Sequence, residues 1–430
     1  VGHNTALGTA LVQLGNSQII ATGGDRVLNN ALAISNNVTT IFGGRRDFDG
    51  THDLTFTGGV TLHSSVGTAH VVNLDVIDNQ TLVTMSGTIS GGGNFIVPTK
   101  RGIGTLVWSG NNTFDVRNYV SAASLTSNDG IRVESGVLRI AHSTALGNSS
   151  EVASVSVSGN NGAVLEIDGS AGNVIVQGRV LDVAGLDNSV ARGYLNRSST
   201  AEVQTGIVRN LAGDNQWLSP AAINQIRLRH QTDNGNDTNI FFGSDAGRLD
   251  LNGALTGLEN DATPTADTGR AFYKVGAGAI RTSGTTANNI VNGYFVMNGT
   301  LELNKTAGVN AIDGNIIVGD GVGGPNADRL VLLQSDQIAN ARTLTVQSSG
   351  QVAFADGVSD TTSGVITLFV ADESGANLNY GVGSTLNNDI TVVYMPGTTS
   401  TTTGASITGT VTLPTTRTFI VADGPAESDL

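Results

Sequence analysis

The residues best suited to chemistry in this chain are few, and they gather in two places. Arg45-Arg-Asp-Phe-Asp-Gly-Thr-His-Asp53 is the densest charged stretch, with Asp47, Asp49, His52 and Asp53 close together. Carboxylates and an imidazole at this spacing can converge in a loop as a metal or acid–base site. The plainer reading is a solvated inter-strand loop whose charges pair locally. Gly323-Gly-Pro-Asn-Ala-Asp-Arg-Leu-Val331 nearly matches the calcium-roll nonapeptide Gly-Gly-x-Gly-x-Asp-x-aliphatic-x, with Asn326 replacing the third Gly. Asn326 and Asp328 would be its calcium ligands. That motif works by tandem stacking, and here it stands alone, so a tight turn leading into a strand is the simpler account.

Other chemistry lacks its residues. The six histidines (His3, His52, His63, His70, His142, His230) show neither His-x-x-x-His nor His-Glu-x-x-His spacing. No Gly-x-Ser-x-Gly elbow occurs, and with no Cys there is no thiol nucleophile. No cofactor is expected, calcium being the one ion the nonapeptide admits. Trp108 and Trp217 have the shape of carbohydrate-stacking platforms, although Trp108 alternates like a residue of a core or sheet face.

The elements that must carry these residues are strands. The chain has 430 residues with 57 Gly and 7 Pro; charged residues make up 13% and aromatics 5%. An ordinary globular protein is about 25% charged, so the core must come from Val, Ile, Leu and Ala. Val72 to Val76, Ala163 to Ile167, Leu249 to Leu251, Leu301 to Leu303 and Leu344 to Val346 alternate apolar and polar residues. Such period-two runs bounded by Gly, Asn, Asp and Ser predict half-buried strands. Helical signals are confined to Ser219 to Ile226 and Ser335 to Asn340, a turn or two each, the second with Ser335 as a cap.

The long-range pattern is a repeat. Lys100-Arg-Gly-Ile-Gly-Thr-Leu-Val-Trp-Ser-Gly110 returns as Lys274-Val-Gly-Ala-Gly-Ala-Ile-Arg-Thr-Ser-Gly284, 174 residues on. Asn residues follow each copy, and then a Gly-x-Leu strand, at Gly136 and Gly299. Its recurring positions are Gly102, Gly104, Leu106, Gly110, Asn111, Gly136, Leu138 and Gly147, then Gly276, Gly278, Ile280, Gly284, Gly299 and Leu301. Leu28-Asn-Asn-Ala-Leu-Ala-Ile34 likewise resembles Leu386-Asn-Asn-Asp-Ile-Thr-Val392. Three long repeats, approximately 1–115, 116–290 and an incomplete 291–430, would form one continuous solenoid. Repetition of this kind means stacking. The expected fold is all-β, a right-handed parallel β-helix with Gly/Asn-rich turns. At about 20 residues per coil it would have around 20 coils and a length on the order of 100 Å. Asn-rich turns would stack as amide ladders.

At these motifs the chain resembles the autotransporter-associated β-strand repeat family, passenger-type β-helices of very large secreted bacterial proteins. The family pattern, Lys-x-Gly-x-Gly-Thr-Leu-x-Leu-Ser-Gly-x-Asn-Thr-Tyr, then Val-x-x-Gly-x-Leu-x-Leu and Ala-Leu-Gly, matches Lys100 to Phe114, Val133 to Ile140 and Ala145 to Gly147. Phe114 takes the Tyr place. A weaker copy runs from Lys274 to Asn289 and Val296 to Leu303, and Ala6 to Gly8 resembles the tail of an earlier one. Leu301 to Ala311, Gly319 to Gly321 and Asp336 to Ile338 also resemble repeats of such giant proteins. The resemblance implies a structural surface or secreted protein, a stem or adhesin, and no enzyme.

Net charge is −14 and the pI is near 4.7, which argues against nucleic acid and anionic membranes. No run of 18 apolar residues is present to span a membrane as a helix. The absence of Cys fits an exposed extracellular setting. The chain starts at Val1, inside a repeat, and reads as a piece of a longer secreted protein. Two functions follow. The first is a stiff extracellular rod that self-associates into fibres or a surface layer, or acts as an adhesin stalk. The alternative is a polysaccharide-degrading or glycan-binding passenger, which needs charged side chains from successive coils side by side on one face. Low charge content makes that ladder hard to assemble, and no candidate stands out.

Overall fold

Alternating strands too short to bury themselves must stack, and the chain does so almost entirely in parallel. The computed structural model describes residues 1–44, 51–63, 70–92, 96–116, 130–148, 150, 152–158, 162–187, 205–230, 238–258, 270–360 and 364–426. Among them no helix forms. Four parallel sheets run along the molecule. One has 4 strands, from Val12–Leu14 to Ile89–Gly91, and one has 9, from Ile175–Gln177 to Ser406–Thr412. The other two join into a 24-stranded network, because Arg179–Asp187 pairs in parallel with Gln225–His230 and antiparallel with Thr238–Ser244.

The order of visits gives the architecture. The chain passes from the 4-stranded sheet (first face) to the sheet beginning at Ser17–Ile19 (second face), then to that beginning at Arg26–Leu28 (third face), and returns. From Ile175 to Arg270–Val275 the 9-stranded sheet takes the first face's place in this cycle, and beyond it the described strands alternate between the third face and the 9-stranded sheet. This arrangement is consistent with a parallel β-helix. The pairing Thr99↔Arg132 crosses residue 115 and Phe272↔Tyr294 crosses residue 290, so stacking continues through both expected repeat boundaries.

Two expectations are corrected. A circuit is longer and less regular than 20 residues: it takes 20 from Val12 to Leu32 but 45 from Asp182 to Arg227. The third face holds fifteen of the 24 networked strands, which at about 4.8 Å per layer makes a stack of roughly 70 Å. Insertions between strands use up chain without adding layers. Ser219 to Ile226 is a single turn, with Ile223 N donating to Pro220 O at 2.9 Å, before strand Gln225–His230 begins. Ser335 caps no helix; its hydroxyl oxygen accepts from Ser359 N one circuit on, at 3.2 Å.

Alternation puts one side of each strand inside. On the third face, one inward column reads Leu54, Val83, Leu106, Leu138, Leu165, Val208, Phe242, Lys274, Val296, Val318, Val346, Leu368 and Val392 in register. Every member is essentially buried. Each aliphatic residue there is worth about 1.5–3 kcal/mol at full burial, an upper bound. The interruption by a lysine leads to the site.

Candidate functional site

The repeated Lys-x-Gly-x-Gly motif is a corner. Lys100 ends the second-face strand Ile96–Arg101, and Thr105–Trp108 continues on the third face. Between them Gly102 turns at φ +72°, where an added Cβ would lie 2.3 Å from Val76 O of the previous layer. Gly136 stacks on this corner in the next layer, its own Cβ position 2.3 Å from Gly102 O. Only glycine fits such backbone-to-backbone contact. The corner turns carbonyl oxygens inward, out of the sheet ladder. Lys100 meets them: its Nζ donates to Arg101 O at 2.6 Å, Gly102 O at 2.8 Å and Ser135 O at 3.1 Å.

The second copy repeats this atom for atom on another corner. Lys274 ends Arg270–Val275 on the third face, and Ala279–Gly284 follows in the 9-stranded sheet. Gly276 turns at φ +77° against Ser244 O, and Gly299 stacks on Gly276 O. Lys274 Nζ donates to Val275 O at 2.9 Å, Gly276 O at 2.6 Å and Asn298 O at 2.7 Å. Three donors meet three acceptors, which satisfies an ammonium fully. Burial nevertheless pulls both lysines down to about 7, with Asp75 opposing at Lys100, and Asp328 and Asp245 at Lys274. These lysines served in the sequence only as repeat markers. Their signal was a recurring cation just before a turn in a chain otherwise short of charge.

The other repeat positions divide between packing and close approach. Leu106, Leu138, Ile280 and Leu301 are fully buried. Gly104, Gly110 and Gly147 lie where a Cβ would come within 2.2–2.3 Å of Asp78 O, Gly87 O and Phe114 O. A Cβ on Gly278 would lie 2.4 Å from Ser244 Oγ, and Gly284 turns at φ +105°. Phe114 is buried edge-on against Trp108, with ring centroids 5.6 Å apart.

The buried asparagines of the repeat bond mainly to backbone, and amide-to-amide contacts among the described residues are confined to pairs such as Asn215 with Asn210 and Gln351 with Asn377. Asn111 is exposed and accepts from Thr144 Oγ1 at 2.7 Å. The buried neighbour Asn112 staples three layers, accepting from Ile89 N and donating to Ala145 O, both at 2.8 Å. Asn288 does the same between Leu255 N (2.8 Å) and Ala311 O (2.6 Å). Asn30 and Asn388, equivalent in the Leu-Asn-Asn repeat, both donate to backbone carbonyls of the preceding layer. An Asn carries a donor and an acceptor on one rigid plane, which lets a single side chain tie the layers on either side.

The acidic stretch makes no metal centre in what is described. Asp47 and Asp49 lie outside the described residues. His52 sits 3.9 Å from Asp25. Asp53 is spent on backbone, accepting from Leu82 N at 2.7 Å. No group of three or more His, Asp or Glu that could hold a metal ion occurs among the described residues. In the nonapeptide, Asn326 adopts φ +58°, the left-handed turn for which it stood in for glycine. Strand Asp328–Leu332 follows it. Asp328 points into the interior, 1% exposed, where Ser349 Oγ donates to its Oδ2 at 2.6 Å and Lys274 lies near enough to act by charge.

Charged ladders do assemble, contrary to expectation, because layers bring distant residues into register. Glu166 lies between Arg139 (Nε 2.8 Å) and Arg209 (Nη1 3.1 Å), and Arg209 also bonds Asp245. In the 9-stranded sheet Asp250, Arg281 and Glu302 are successive neighbours, with Arg281 Nε 2.7 Å from Glu302. Both ladders alternate in sign, with an arginine between or beside the carboxylates and Ser283 donating to Asp250, so the carboxylates are held apart rather than converged on a substrate. Variable circuit lengths hid these registers from the sequence.

The tryptophans belong to the core. Trp108 is 2% exposed, and Trp217 is fully buried with Nε1 donating to Arg179 O at 3.0 Å. Phe241, Tyr273 and Phe295 stack along the third face with centroids 4.6 and 4.4 Å apart, Phe241 buried and the other two half-buried, while Phe419 is exposed. A sugar would need a ring face, and in this stack neighbouring rings cover the inner faces. No helix among the described residues is long and apolar enough to cross a membrane. Comparison with family models, with curated proteins and with solved structures finds no match to this chain.

Proposed function

We propose that this chain is part of a stiff extracellular or cell-surface rod, a right-handed parallel β-helix whose role is structural. It would serve as a stalk, or assemble with further copies into fibres or a surface layer. One observation carries the reading: the polar side chains of the repeat motif are spent on holding layer to layer. Lys100, Lys274, Asn112 and Asn288 all bond backbone across circuits. The right-handed winding is supported by the strong preference of parallel crossovers for that hand. The likeness of the Lys100 and Lys274 motifs to autotransporter-associated repeats supports a secreted bacterial origin. Calcium has no part in this reading, since Asp328 faces inward.

The glycan-active alternative is less favoured, because the carboxylates of both charged ladders already have arginine or serine partners and the half-buried rings Tyr273 and Phe295 are stacked on one another. Electron microscopy of the native material tests the main reading. Rods or filaments are expected; compact isolated particles would remove the filament version. Turnover on acidic polysaccharides would instead establish the alternative.

A further inference from the structure

The interior of the second corner holds more than a lysine. Along it run Asn215, Asn210, Ser244, Lys274, Asp328 and Ser349, all buried inside an aliphatic core. Asn215 Nδ2 bonds Asn210 Oδ1, and Asn210 Nδ2 bonds Ser244 Oγ at 3.2 Å. Next come Lys274 with its three carbonyls and Asp328 with Ser349. Upstream partners are matched donor to acceptor. Asp328 is less well met: Ser349 Oγ serves its Oδ2 and the Asp320 backbone lies against the carboxyl, but no hydrogen bond of good geometry reaches its buried Oδ1. An ionised carboxylate with one bare buried oxygen is costly, and a protonated one much less so.

We propose that the seam at Lys274 and Asp328 is a pH-sensitive weak point of the rod, holding a proton on Asp328 under mildly acidic conditions and loosening the layers around Gly299 to Gly350 as that proton leaves. The groups facing it are few. Asp328 meets Ser349, Lys274 and, on the glycine-rich turn beside it, Asp320. Lys274 meets Asp328 and Asp245, the latter already bonded to Arg209. Burial pushes the Asp328 carboxyl up to about 7, with the Asp320 charge adding to it and the Ser349 hydroxyl, the Asp320 backbone N–H and Lys274 pulling the other way.

The sign follows from proton counting. Unfolded, Asp328 ionises near its ordinary 3.8. Between 3.8 and about 7 the folded seam therefore holds one proton more than the unfolded chain, so its stability falls as pH rises. Above about 7 the lysine reverses the slope, because the unfolded side chain keeps its proton to about 10.5. The seam thus contributes least near neutrality, where most proteins are most stable.

Hydrogen exchange on the whole chain at pH 5.5 and 7.5, corrected for intrinsic rates, reads this directly. Peptides covering 316–332 should open more at pH 7.5, by up to about tenfold per pH unit below 7. Peptides covering 96–108 should show no such loss. In Asp328→Asn, which has no proton to lose, the 316–332 response should flatten. Equal pH dependence in wild type and variant overturns the proposal. So does protection of 316–332 in the wild type that stays constant or rises with pH, a result that decides the matter even where the variant does not fold.

Discussion

The corner at Lys100 and the corner at Lys274 are built from one motif, yet they join different pairs of sheets. The first joins the second face to the third; the second joins the third face to the 9-stranded sheet. The motif is therefore a portable corner rather than a fixed register mark. What travels with it is local: a strand-ending lysine, a left-handed glycine, and a glycine of the next layer stacked on it. What differs is the neighbour. Lys100 has its closest carboxylate, Asp75, on the outer side of the sheet beside Arg101 at 3.9 Å. Lys274 has Asp328 inside. A lysine alone in a carbonyl cage is a fastener, and the same lysine beside a buried carboxyl becomes a titrating pair.

Removing the lysines should separate the two most strongly. Lys274→Met leaves three carbonyls without a donor and Asp328 without its cation, and should cost about 3–5 kcal/mol in urea denaturation. Lys100→Met leaves only the carbonyls and should cost less, about 1–3 kcal/mol in all once they relax. Equal losses would mean that Asp328 adds nothing. Next in size, Gly102→Ala and Gly276→Ala should each cost at least about 2 kcal/mol, from left-handed strain and contact with the carbonyl below. Because the two glycines share their geometry, a large difference between them would break the equivalence of the corners.

Asn112→Ala and Asn288→Ala should each lose about 2 kcal/mol by orphaning one backbone donor and one acceptor, measured as a fall in denaturation midpoint. The pH dependence at the first corner should be one-sided. Lys100 lies at about 7 folded and 10.5 ordinarily, so the wild type should gain stability over Lys100→Met only as pH rises between those values. A gain on acidification below 7 would place Lys100 in the same class as Lys274. The smallest effect belongs to the outward stack: Tyr273→Ala should cost about 1 kcal/mol and leave both corners unchanged.

The sequence by itself determined the strands, the repeat and the identity of the corner residues, because each rests on local chemistry. Val72 to Val76 and Leu344 to Val346 alternate with period two and pair as such. Gly102 and Gly276 could be singled out because no other residue takes that turn against a neighbouring backbone. Asn326 was legible as a turn residue for the same reason. Circuit number was not legible, because insertions between strands vary in length without leaving a mark on strand composition. The tertiary structure alone decided which residues become neighbours across layers. Glu166 meets Arg139 and Arg209, and Asp328 faces inward near Lys274, through pairings 21 to 44 positions apart that no local spacing announces. It also decided that Trp108 and Trp217 fill the core, and that the repeated lysine spends its charge on carbonyls inside. A strand's period fixes which side chains share a face; only the stacking fixes what each of them meets.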